Sequence, residues 1–129
     1  MLLTRVKKSI DLKTRKSYQL PGDSELEELI YESLIYVATK CDPTELICSV
    51  ITTETILRMI KGGQVIIEPE YPDLTNIDAH LQIDESLSYA VINYVCFLIT
   101  KVAMFKQLAD EGIGTYRCDY SLVEYGEEL

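Results

Sequence analysis

Residues able to do covalent or acid–base chemistry are few and scattered in this chain. The one histidine, His80, lies in a loop between Ala79 and Leu81. Covalent or acid–base work needs a nucleophile, a base and an orienting group within reach of one another, so His80 reads as a surface or packing residue. Glu25, Glu28 and Glu32 recur at helical spacing and read as a solvated face. Asp73, Asp78 and Asp84 could hold a hard cation, but they lack the Asx-x-Asx-x-Asx-Gly spacing of a calcium loop. Lys61-Gly62-Gly63-Gln64 lacks the Gly-Lys-Ser/Thr of a phosphate loop, and no helix follows it. The cysteines, Cys41, Cys48, Cys96 and Cys118, include no C-x-x-C pair, so the close-spaced ligand pairs of a structural zinc site are absent. Cys96, among Val95, Phe97 and Leu98, reads as a small hydrophobe, and all four as reduced thiols. Basic and aromatic residues do not interleave as they do where bases stack. The pattern supports no catalytic, cofactor-binding or metal-binding assignment, and the chain reads as non-enzymatic.

The elements around these residues point to a building block. At 129 residues with 47% hydrophobic content, the chain can bury the core of one domain. The longest uncharged stretch, residues 86–100, falls short of the roughly 20 residues that span a bilayer. Met1-Leu2-Leu3 is followed at once by Arg5, Lys7 and Lys8, which is not the layout of a secretory signal. The net charge of −9 is unevenly spread. Residues 1–17 carry six basic groups against Asp11 alone, a net of +5, whereas residues 18–129 carry six basic and twenty acidic groups, a net of −14. A basic end on an acidic body reads either as a solvated tail or as a tether to an acidic surface. That surface could be nucleic acid or a neighbouring copy, and Arg5, Lys7, Lys8, Arg15 and Lys16 are the candidate contacts. The acidic body argues against sequence-specific DNA binding, which depends on phosphate attraction.

Periodicity predicts a mainly α protein with a small β-hairpin (α+β), its helical domain flanked by two extended arms. The basic N-terminal arm covers residues 1–20 and closes at the turn signal Pro21-Gly22; an extended arm or short strand over 2–12 fits about as well as a helix fragment. A helix starts at Asp23, with Ser24 and Glu27 as a capping box. Leu26, Leu29, Ile30, Leu34, Val37 and Ala38 form its buried stripe, and Pro43 ends it near Cys41. Asp42-Pro43-Thr44-Glu45 starts a short helix to about Val50. The β-branched run 50–57 and the run 64–68, joined through Gly62-Gly63, predict a hairpin at about 50–68 in preference to a helix across 43–61. Residues 69–83 form an irregular connection anchored by Ile77 and Leu81, of a length usual for functional or interfacial loops. Asp84 then caps the longest helix, Glu85 to Ala109, with Gly112 as its stop. That helix is apolar on nearly all sides, more than two other helices can cover, and so predicts packing against another subunit. The helical domain thus spans 21–112. An acidic C-terminal arm, 113–129, offers Tyr116, Tyr120 and Tyr125, with Tyr71 in the connection, as interface residues; the arm could order on a neighbour or fray.

Residues 56–105 carry a recognisable pattern. Ile56-Leu57-Arg58 leads to Val65-Ile66-Ile67-Glu68-Pro69-Glu70-Tyr71-Pro72, then to Ile83-Asp84-Glu85, then to a helix with Ala90-Val91-Ile92-Asn93-Tyr94-Val95. With the upstream helix ending Tyr36-Val37-Ala38-Thr39-Lys40 before Pro43, the chain resembles the head-to-tail connector (adaptor, or ring) proteins of tailed bacteriophages over residues 23–110. The likeness is greatest to those of short-tailed, crAss-like phages. The resemblance implies a virion protein assembled in the host cytoplasm into a ring of about twelve copies below the portal. The ring would extend the DNA channel and dock the portal and other tail or ring proteins. An acidic wall would let DNA slide without sequence-specific binding. No cofactor and no membrane are implied. The alternative of another class is a small cytosolic helical regulatory or adaptor dimer whose basic arm touches nucleic acid.

Overall fold

The computed structural model describes residues 1–15 and 18–128, with side chains as far as Cys118. Four α-helices, α1 (Leu3–Thr14), α2 (Asp23–Lys40), α3 (Ser88–Thr100) and α4 (Ala103–Glu128), accompany three short strands, β1 (Ile47–Ser49), β2 (Ile56–Met59) and β3 (Gln64–Ile67). The fold is therefore mainly α with a small antiparallel sheet, as the periodicity predicts.

The N-terminal segment is a helix built into the core, which corrects the expectation of a separate extended arm. Leu3, Val6, Ile10 and Thr14 recur at spacings of three and four and are all buried. Each such aliphatic burial is worth about 1.5–3 kcal/mol against leaving it in water. The start of the chain is also strapped down. The Leu3 amide donates to Ala79 O at 2.9 Å and the Leu81 amide to Met1 O at 2.8 Å, with Leu2 bridging His80 between them. The Met1 amino group donates to Glu85 Oε2 at 2.6 Å.

α2 forms where expected, burying Leu26, Ile30, Leu34 and Val37. The expected capping box does not form: Gly22 is the N-cap and no side chain caps it. Glu27 instead accepts the Leu74 amide at 2.8 Å, fastening the connection to α2. Within that connection Leu81 is buried but Ile77 is 74% exposed and anchors nothing.

The short helix expected from Pro43 reduces to one 3-10 turn, Thr44–Leu46, before β1. Leu46 packs with Ala38 and Ile66, which leaves Ile47, Cys48 and Ser49 opposite Ile66, Val65 and Gln64. The expected hairpin is present as β2–β3, narrower than its predicted span, with β3 central in the order β1-β3-β2. Gly62 and Gly63 turn it with φ of +77° and +71°, a region that favours glycine.

The single helix expected over 85–109 is two. After the 3-10 turn Glu85–Leu87, α3 ends at Lys101, whose φ of 60° is left-handed, and α4 folds back along it. Gly112, expected as the stop, lies inside α4 against Ala90, and Ile113 and Tyr116 belong to the core. α1, α2 and α4 all pack on α3, so Val91, Ile92, Val95 and Cys96 are buried by their own chain. The core side of the expected rod is thus covered within one molecule, while Tyr89, Val102, Met104 and Leu108 stay exposed.

Candidate functional site

The polar centre of the fold is built on Asp84, a residue expected to cap the helix that follows it. Its carboxylate points the other way and fastens three separated segments. Thr44 donates to Oδ2 through its amide at 3.1 Å and its hydroxyl at 2.7 Å, the Glu45 amide donates to Oδ1 at 2.9 Å, and the Tyr116 hydroxyl donates to Oδ2 at 2.7 Å. Burial pushes the Asp84 carboxyl up, but the hydrogen bonds from Tyr116, Thr44 and Glu45 outweigh it and hold it below the usual carboxylate range. The Tyr116 phenol is pushed up by burial and by its bond to Asp84. An ionised carboxylate holding four donors, beside a phenol that keeps its proton, is a clasp and no proton shuttle.

The candidate contact residues fall into separate groups. Arg5 and Lys8 on α1 and Arg15 at its C-cap are exposed, at positions that share a helix face with Leu12. Lys7 is half-buried and pairs with Asp23 at 2.7 Å; Arg15 pairs with Asp11 at 3.1 Å. Lys16, and the side chains of Tyr120 and Tyr125, lie outside the described residues. Tyr71 is half exposed on the acidic face of α2, away from this stripe: its hydroxyl donates to Glu28 at 2.8 Å and its ring lies 5.1 Å from Tyr31. The bond to Glu28 raises the Tyr71 phenol, with a smaller push from burial. Tyr116, at 4% exposure, is a core residue, which corrects its assignment to an interface arm.

Two open clefts adjoin on the side of the sheet and connection. One, of about 440 Å³, is lined by Met1, Glu45, Glu70, His80 and Glu85, with the buried Leu81 and Ile83 also in its wall. The other, of about 510 Å³, is lined by Glu54, Glu68, Ile67 and Pro69, and shares Glu70 and Gln82 with the first. Both are acidic. Among the described residues no three His, Cys, Asp or Glu side chains converge as a metal-ligating set. Burial pushes the Cys41 thiol up to about 12 and the Cys96 thiol up to about 11, far from the thiolate that a nucleophile needs.

Sequence reasoning missed Asp84 as a cross-link, Leu12 as an exposed residue, and Arg58. The Arg58 guanidinium donates to Ala38 O at 3.1 Å and Cys41 O at 2.5 Å, and pairs with Asp42, tying β2 to the end of α2. Leu12 alone carried a readable signal: its spacing from Arg5, Lys8 and Arg15 is helical.

No protein-family model, curated protein or solved structure matches this chain. Among the described residues no helix is long and apolar enough to cross a membrane.

Proposed function

We propose that this protein is a structural subunit of a tailed-phage head-to-tail junction, a ring component below the portal that extends the DNA channel and docks tail proteins. The observation that carries this reading is the uneven charge, a net of +5 over residues 1–17 against −14 over residues 18–129, with Arg5, Lys8 and Arg15 exposed at the N-terminal helix. Opposite charges at two places on one chain suit copies that dock on one another in an assembly. The connector resemblance over residues 23–110 adds support. The net charge of −14 over residues 18–129 suits a conduit that repels phosphate. Protein analysis of purified particles tests the proposal: the chain should be present in fixed ratio to the portal protein, and particles that lack it overturn the reading.

The exposed stripe of Arg5, Lys8 and Arg15 favours a second reading, a small helical adaptor that touches nucleic acid. Duplex binding that falls steeply with salt and vanishes when these residues are reversed would select it.

A further inference from the structure

We infer that the outward face of α1 is a docking face for a second copy of this chain, and that it seats in the acidic clefts beside the sheet. The inference deepens the assembly reading and rests on it.

α1 has two unlike faces. Leu3, Val6, Ile10 and Thr14 are buried, while Arg5, Lys8, Leu12 and Arg15 line the side turned to solvent. Leu12 is 54% exposed in the middle of a basic stripe. Arg5 and Lys8 make no ion pair among the described residues, and Arg15 has only a surface pair within its own helix. The stripe cannot turn inward, because the Met1–Leu3 strap and the three buried aliphatic residues fix the rotation of α1.

The complementary surface is on the same molecule but out of reach of its own stripe. Glu45, Glu54 and Glu70 line the adjoining clefts, and none has a cationic partner among the described residues. Among the apolar residues that line these clefts Pro69, Leu81 and Ile83 are buried, and Ile67, partly exposed, is the contact offered to Leu12. A convex rod carrying cations matches a concave surface lined by carboxylates. The rim of the first cleft already holds Met1, tied to Glu85, so the helix it leads into cannot fold back over it. The +5 segment of one copy and the −14 body of another supply the charge complementarity. A contact between two different patches is heterologous and repeats head to tail, closing into a ring when the rotation allows.

Sedimentation of the full chain at low and high salt tests this. The wild type should self-associate at low salt and weaken as salt rises. Arg5→Glu with Lys8→Glu, and separately Glu54→Lys with Glu70→Lys, should each weaken association on the order of tenfold or more. All four substitutions together should restore it, with helical circular dichroism unchanged throughout. A wild type that stays monomeric at every concentration, or reversals that leave association unchanged, overturns the inference. So does loss of duplex DNA binding on reversal of the stripe with self-association untouched, which assigns the stripe to nucleic acid. Particle content separates the two proposals. Variants that fail here while the chain is found in particles condemn the docking face alone, whereas a restored swap with no chain in particles condemns the connector reading alone.

Discussion

The Tyr116 hydroxyl donates to Asp84 Oδ2 at 2.7 Å, joining residues 32 positions apart and locking α4 onto the turn that precedes α3. Thr44 and Glu45 close the same carboxylate from the other side. Losing a hydrogen bond to a charged group costs about 1.5–3 kcal/mol. Asp84→Asn is therefore expected to lower unfolding free energy in urea by about 2 kcal/mol, and Tyr116→Phe by a similar amount. Because the two share one clasp, the double variant should lose less than the sum.

Acid should loosen the same clasp. Hydrogen bonding outweighs burial and holds the folded Asp84 carboxyl below its usual value of about 3.9. The unfolded chain therefore takes up a proton at higher pH than the folded one does. The stabilisation is complete above the ordinary carboxylate pKa and is lost as pH falls through the lower folded value. Urea midpoints measured from pH 6 down to pH 2 should fall in that window, and the Asp84→Asn variant should show a shallower decline.

Arg58 closes the C-terminal end of α2, where carbonyls lack helical partners. Its guanidinium serves Ala38 O, Cys41 O and the Asp42 carboxylate at once, a fork that an ammonium cannot reproduce. Arg58→Ala should cost about 1–3 kcal/mol, and Arg58→Lys should recover less than half of it. Hydrogen exchange should quicken in β2 and the last turn of α2, leaving α3 protected.

Removing residues 119–129 should spare the monomer, since Ile113 and Tyr116 remain to fill the core. The thermal midpoint is expected to shift little. Cutting instead at residue 112 removes both core residues and the clasp, and should unfold the protein. If residues 119–129 dock on neighbours, the shorter deletion should also reduce incorporation into particles.

Several features were legible because the signal is local. Leu26, Ile30, Leu34 and Val37 announce α2 by their spacing, and Gly62-Gly63 announces the hairpin turn. Other features depend on distant partners. Asp84 and Glu27 have the right types and positions for caps, yet each bonds a segment some 40 or more residues away in sequence. In α1 the dense charge obscured Leu3, Val6 and Ile10, whose spacing is that of a buried stripe. The break at Lys101 carries neither glycine nor proline, so nothing in its sequence marks a left-handed residue. Reading through that break joined α3 to α4 in one rod and hid the neighbour that covers it.

The central claim is that this chain is a ring subunit at the portal. Electron microscopy of the chain co-expressed and co-purified with the portal protein of the same genome tests it most directly. The account predicts a closed ring of this chain stacked coaxially on the portal. A chain that separates from the portal and adds no density to it would contradict the account.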